Sequence, residues 1–400
     1  MDDELLQRYA RLIVEVGANV QPGQIVGLQC APEHARLVRA IAAAAYDRGA
    51  LFVDPWWFDP RIKRARLEHA AEDTLDYVPP WWGERALGLG AAHGVRISLQ
   101  PVVPPGALDG IDPVRAGKDG LPRVREIFQV INDQTTNWCV VPAPTEDWAA
   151  VVYPDLEPAE ALGRLEEQLV FVLRLDEDDP AAAWQARLQE LHDNARRIDA
   201  LDLDELRFEG PGTDLRVGLF PTSRFAFDTP GARTVDGVQF APNLPTEEIW
   251  TTPDPTRAEG YVTATKPLVL GGSEVHGLRV RFEGGRAVQI DADRSADVLR
   301  GRCAVDEGAA RLGEVALVDR EGRVGRTDTV FFTTLLDENA ASHLALGSGY
   351  ATGVGPADAD RVNRSEIHID FMIGGDEVDV TGVTRDGAEV PLLRGGAWQL

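Results

Sequence analysis

Long apolar runs, paired cysteines and an excess of basic charge are all missing from this 400-residue chain. No stretch reaches the roughly 18 uncharged apolar residues a helix needs to cross a bilayer, so no membrane span is expected. Lysine and arginine number 40 against 65 acidic residues, a formal net charge of -25. Such a chain repels phosphates at long range and has no basic stripe to offset this, which argues against a nucleic-acid partner. The three cysteines, Cys30, Cys139 and Cys303, are odd in number and far apart, without CxxC spacing. They read as small buried hydrophobes in a reducing cytoplasm, not as a disulfide framework. The opening MDDELLQRYARLIVEVG is acidic and amphipathic, unlike a signal or transit peptide. No GxGxxG or Walker A motif follows any expected strand, so no nucleotide site is read.

What is present suits a globular enzyme-sized protein, with a hydrophobic share of 44% to build a core. Leu5, Tyr9, Leu12 and Val16 recur at helical spacing, predicting a helix over 3–17 that stops at Gly17-Ala18-Asn19. QIVGLQCA, LFVDPWW, HGVRISLQ and NWCVVP read as strands, separated by helical stretches such as EHARLVRAIAAAAYDRGA and PRVREIFQVINDQ. Strands alternating with helices predict a largely parallel sheet. PAEALGRLEEQLVFVLRL and DDPAAAWQARLQELHDNARRIDAL extend the domain as helices that each start near a proline. From about residue 203 the texture changes to short β segments, with hairpins expected around Gly210-Pro211-Gly212 and Gly284-Gly285. The expected fold is an α/β N-terminal domain with helical connector over 1–195. An α+β, β-rich domain follows over 196–400.

Four stretches of the second half carry ionisable residues in unusual settings. In SEIHIDFMIGG, Ile367, Ile369 and Phe371 alternate with Glu366, His368 and Asp370, the mark of a half-buried strand. Its polar face suits either solvent or a pair of metal ligands. In NLPTEEIWTTP, Glu248 and Trp250 share one face of an extended chain while Glu247 points the other way, although the acids would equally suit a helix start. DEGAARLGEVALV reads as a helix closed by Gly313, with Glu314 opening a buried strand. That carboxylate needs a partner, which Arg311 or Arg320 can supply. In DENAASHLALGSGY, Asn339 looks like an N-cap, with Glu338 and His343 at the mouth and first turn of a short helix that Gly347 and Gly349 end before Tyr350. There His343 can be a helix-end histidine and Tyr350 a packing aromatic. His276 has no periodic carboxylate partner and reads as structural.

Jointly the stretches say more. Glu248, Glu314, Glu338 and Asp370 supply four negative charges, and His343 and His368 two imidazoles. Four carboxylates in one pocket cannot all stay ionised without cations or large pKa shifts. Two divalent ions would cancel their charge, and the donor set suits zinc, cobalt or manganese, with magnesium a poorer fit.

These stretches, in order with TNWCVVPAPTEDWA, EDDPAAAW and FEGPGTDLRVGL, resemble the aminopeptidase T family of metal-dependent exopeptidases over nearly the whole chain. The resemblance implies metal ligands at Glu248, Glu314, Glu338, His343, His368 and Asp370, and a tyrosine beside the metals at Tyr350. It implies hydrolysis of N-terminal residues from short peptides through water activated by two metals, in a cytoplasmic homodimer. The second domain is then the catalytic, metal-binding one. Glu314 is the expected general base, with Glu338 the alternative, and Tyr350 can stabilise the oxyanion or complete a metal's coordination shell. Two rivals remain: a two-metal hydrolase of non-peptide amides or esters, and a metal-binding protein without catalysis.

Overall fold

In the computed structural model, which describes residues 1–270 and 273–400, contacts divide the chain into two units. The first comprises Met1–Leu188 with Thr229–Thr246. Its centre is a four-stranded sheet of Ile25–Cys30, Phe52–Trp57, Val95–Gln100 and Asn137–Pro142. All three pairings are parallel, in spatial order second, first, third, fourth. Parallel neighbours need crossovers, and helices such as Ala35–Asp47 and Pro80–Ala91 supply them. The helix expected over 3–17 is α-helical for Asp3–Leu12 and widens into a π-helical turn over Ile13–Gly17. Gly17 closes it where a Cβ would sit 2.8 Å from Cys139 Sγ on the last strand.

The second unit comprises Gln189–Asp228, Glu247–Leu270 and Glu274–Leu400. Its larger sheet has eight strands, and both expected hairpins lie in it. Leu203–Gly210 pairs with Thr213–Leu219, and Arg279–Glu283 with Arg286–Asp291. The second turn places Gly284 and Gly285 at φ 55° and 77°, the two positive values a tight hairpin requires. A parallel α/β sheet followed by a β-rich antiparallel region is the expected fold class.

The smaller sheet matters most for function. Its four antiparallel strands run in the order His368–Met372, His343–Gly347, Leu312–Val318, Glu248–Thr251. Two local expectations fail here. No helix spans 306–313: the Asp306 carboxylate accepts from Ala309 N, Glu366 N and Ser365 Oγ, which holds the segment in turns, and the strand starts at Leu312. Nor does a helix start at Asn339. The helix there is Thr334–Asp337, with Glu338 capping its C-terminus, and His343 opens the sheet's second strand. HLALG is drawn into the sheet because it finds hydrogen-bonded neighbours on both sides.

Candidate metal centre

Period-2 alternation turns the small sheet into a two-faced plate. Ile249, Val315, Leu317, Leu344, Leu346, Ile369 and Phe371 face one way, into the unit's main apolar core. The register pairs Val318 with Glu248, Ala316 with Trp250 and His343, Ala345 with Glu314 and Asp370, and Gly347 with His368. Paired residues share a face, so Glu248, Trp250, Glu314, His343, His368 and Asp370 all project from the opposite side. Ala316, Ala345 and Gly347 form a low floor between them. A bulge makes this possible: the register shifts between Leu312 and Glu314, sending Leu312 into the core and Glu314 to the polar face. Glu338 joins from the end of its short helix.

The side chains converge. Donor atoms of Glu248, Glu314 and His343 lie within 4.8 Å of one another, as do those of Glu314, His368 and Asp370, and of Glu338, His343 and Asp370. Glu314 spans the first two groups: Oε1 is 3.7 Å from His343 Nε2 and Oε2 is 3.6 Å from His368 Nε2. Glu248 Oε2 lies 3.1 Å from His343 Nε2, and Asp370 Oδ1 3.2 Å from His368 Nε2. The structure thus brings together all six residues expected to bind metal. Tyr350, the seventh, packs its ring against that of His368, 5.1 Å between centres and tilted 55°.

Each imidazole is oriented from behind. His343 Nδ1 donates to Ala341 O at 3.2 Å and His368 Nδ1 to Ser348 O at 2.7 Å. A carbonyl only accepts, so the Nδ1–H tautomer is set and Nε2 is left facing the carboxylates, the arrangement metal-binding histidines use. Burial pushes the Glu314 carboxyl up and the Glu338 carboxyl well up, with Asp370 and Glu248 adding repulsion at Glu338. Burial would lower both histidines, but the carboxylates outweigh it: His343 is raised well above its usual value, and His368 to about 9. Burial and the surrounding carboxylates push the Tyr350 phenol well up, which keeps it protonated. Without cations, protons must cancel the charge of the cage. Four carboxylates and two Nε2 atoms brought this close together therefore fit divalent ions well.

Two features were not legible in advance. Glu247, expected to point away, is fully buried; its N–H donates to Asn339 Oδ1 at 2.6 Å, and Asn339 Nδ2 donates to Leu335 O at 2.8 Å. Asn339 is thus a tie between the Glu248 strand and the helix carrying Glu338. His276 does have a carboxylate partner, with Nε2 2.8 Å from Glu274 Oε2.

Comparison with known proteins identifies a family. The thermophilic metalloprotease (M29) family matches residues 2–398. Aminopeptidase T of Thermus thermophilus is 40% identical, over 98% of this chain and 98% of its own. Aminopeptidase PepS of Streptococcus thermophilus is 36% identical, over 99% of this chain and 98% of its own. The solved structure of wild-type AmpT from Thermus thermophilus superposes with a TM-score of 0.89 at 38% identity, covering 99% of both chains.

Proposed function

The chain belongs to the thermophilic metalloprotease family, M29, and is a metalloaminopeptidase; on that premise we propose that it removes N-terminal residues from short peptides, using two divalent ions. Glu248, Glu314, Glu338, His343, His368 and Asp370 are assigned as their ligands. The observation that carries this reading is Glu314, whose two carboxylate oxygens each face a different imidazole. One carboxylate shared by two donor groups would help to hold both ions. Zinc, cobalt or manganese fits the mixed imidazole and carboxylate set, with magnesium possible.

When bound, ions there supply Lewis acidity towards the attacking water and the scissile carbonyl. The chain's own groups do the rest. Glu314, on the face between both imidazoles, takes a proton from the attacking water and returns it to the leaving amine, with Glu338 the second candidate. The protonated Tyr350 hydroxyl donates to the oxygen that gains negative charge. The substrate's free amine would be held by a metal or by a carboxylate, which would restrict cleavage to chain ends. The reading places the enzyme in the cytoplasm as a homodimer, as its family resemblance implies. Three free, buried cysteines suit a reducing compartment.

The test is metal analysis of purified protein with hydrolysis of leucine and arginine amides, before and after chelation. Two ions per chain are expected, with activity lost on chelation and restored by metal. Analogues with blocked N-termini should resist cleavage. Full activity without metal, or equal turnover of blocked analogues, would overturn the proposal.

A further inference from the structure

Trp250 has no part in the chemistry above, yet it stands on the same sheet face as the carboxylates, two residues from Glu248. Side chains so spaced on a strand are roughly 7 Å apart. Its indole packs against Tyr350 at 5.3 Å between ring centres, tilted 59°, and against Phe227 at 4.9 Å, tilted 44°. Tyr350 in turn packs on His368. The rings form a row that starts at the imidazole, Tyr350–Trp250–Phe227. Thr252 Oγ1 fixes its inner end by donating to Tyr350 O at 2.7 Å.

A core role does not explain this row. The strand's other face is sealed, with Ile249 at 3% exposure and Thr251 at 0%. Phe227, Trp250 and Tyr350 instead stay partly exposed. Phe227 also lines an open cleft of about 520 Å³, together with His192, Arg196, Asp199 and Asp228. Only Phe227 reaches that cleft, while Trp250 and Tyr350 keep part of their surface exposed, so the row is an uncharged, partly solvent-facing wall beside a cage of charged donors.

Resting on the aminopeptidase reading, we propose that Trp250, flanked by Phe227 and Tyr350, forms the subsite for the side chain of the substrate's N-terminal residue and selects for apolar ones. That residue carries both groups the cage must hold, the free ammonium and the scissile carbonyl, on a single Cα. Its side chain therefore leaves from beside the donors, within reach of the first rings. A leucine or phenylalanine there covers apolar ring surface that water otherwise wets, whereas an alanine barely reaches it. Trp250 is thus a specificity-determining residue rather than a catalytic one.

The test is Trp250→Ala with Trp250→Phe as the conservative control, after checking metal content and melting of each. In Trp250→Ala, kcat/KM for leucine and phenylalanine amides should fall about 10-fold or more, while alanine amide changes little and Trp250→Phe recovers most of the loss. Calorimetry should show the same selective loss for free L-leucine over L-alanine, with metal-loaded protein. An equal fall for alanine and leucine amides overturns the proposal, as does a loss that follows the residue after the scissile bond. If the wild-type protein cleaves no amide, the aminopeptidase reading fails. The leucine-against-alanine binding difference between wild type and Trp250→Ala then still decides the subsite, an unchanged difference overturning it.

Discussion

His368 donates from Nδ1 to the backbone carbonyl of Ser348 across 2.7 Å, and this bond decides which ring nitrogen faces the carboxylates. The same carbonyl sits against the bulge that turns Glu314 to the site. A Cβ added at Gly313 would lie 2.4 Å from Ser348 O and 2.5 Å from Gly347 O.

Gly313→Ala should therefore displace the support of His368 and strain the bulge below Glu314. Metal affinity is expected to fall about 10- to 100-fold, the usual cost of losing an outer-shell partner. Competition with a chromophoric chelator measures it. Wild-type affinity in the folded variant would contradict the link between bulge and imidazole.

The metal-free protein should lose stability as pH rises from about 6.5 through about 9. His368 is raised to about 9 and His343 well above its usual value, so both bind protons more tightly folded than unfolded. The raised carboxyls of Glu314 and Glu338 act with the same sign. The histidines' contribution is fully present below their unfolded value and lost as pH climbs through the folded one. Melting temperatures across this range in chelator check it, and metal should flatten the slope because cations replace the protons. A chelated protein that melts higher at pH 9 than at pH 6.5 would refute the assignment.

On the proposed roles, Glu314→Gln should cut turnover by about 10²-fold or more, because a neutral amide is a weaker metal ligand than a carboxylate and cannot accept the water's proton. Kinetics paired with metal analysis separates the two effects. Full turnover with a full metal complement would move the proton transfer to Glu338.

Asn339→Ala should destabilise the second unit by about 1–3 kcal/mol, because Glu247 N–H and Leu335 C=O both lose their partner in a buried place. Chemical denaturation measures the loss. A change within a few tenths of a kcal/mol would show that the tie is not needed.

The sequence by itself determined the alternations that make the two-faced strands, because side-chain facing follows from a local period of two residues. His368 and Asp370 were on one face before any contact was known, as were Glu248 and Trp250. Strand and helix alternation likewise dictated the parallel sheet of the first unit. Only the tertiary structure decided which faces meet. Pairing of Val318 with Glu248 puts that carboxylate, and not its neighbour Glu247, into the cage. The bulge at Gly313 reverses the facing of Glu314 relative to Leu312, and HLALG becomes a strand because partners flank it on both sides. Register and bulges are settled by hydrogen bonds to residues far along the chain, and no local pattern encodes them.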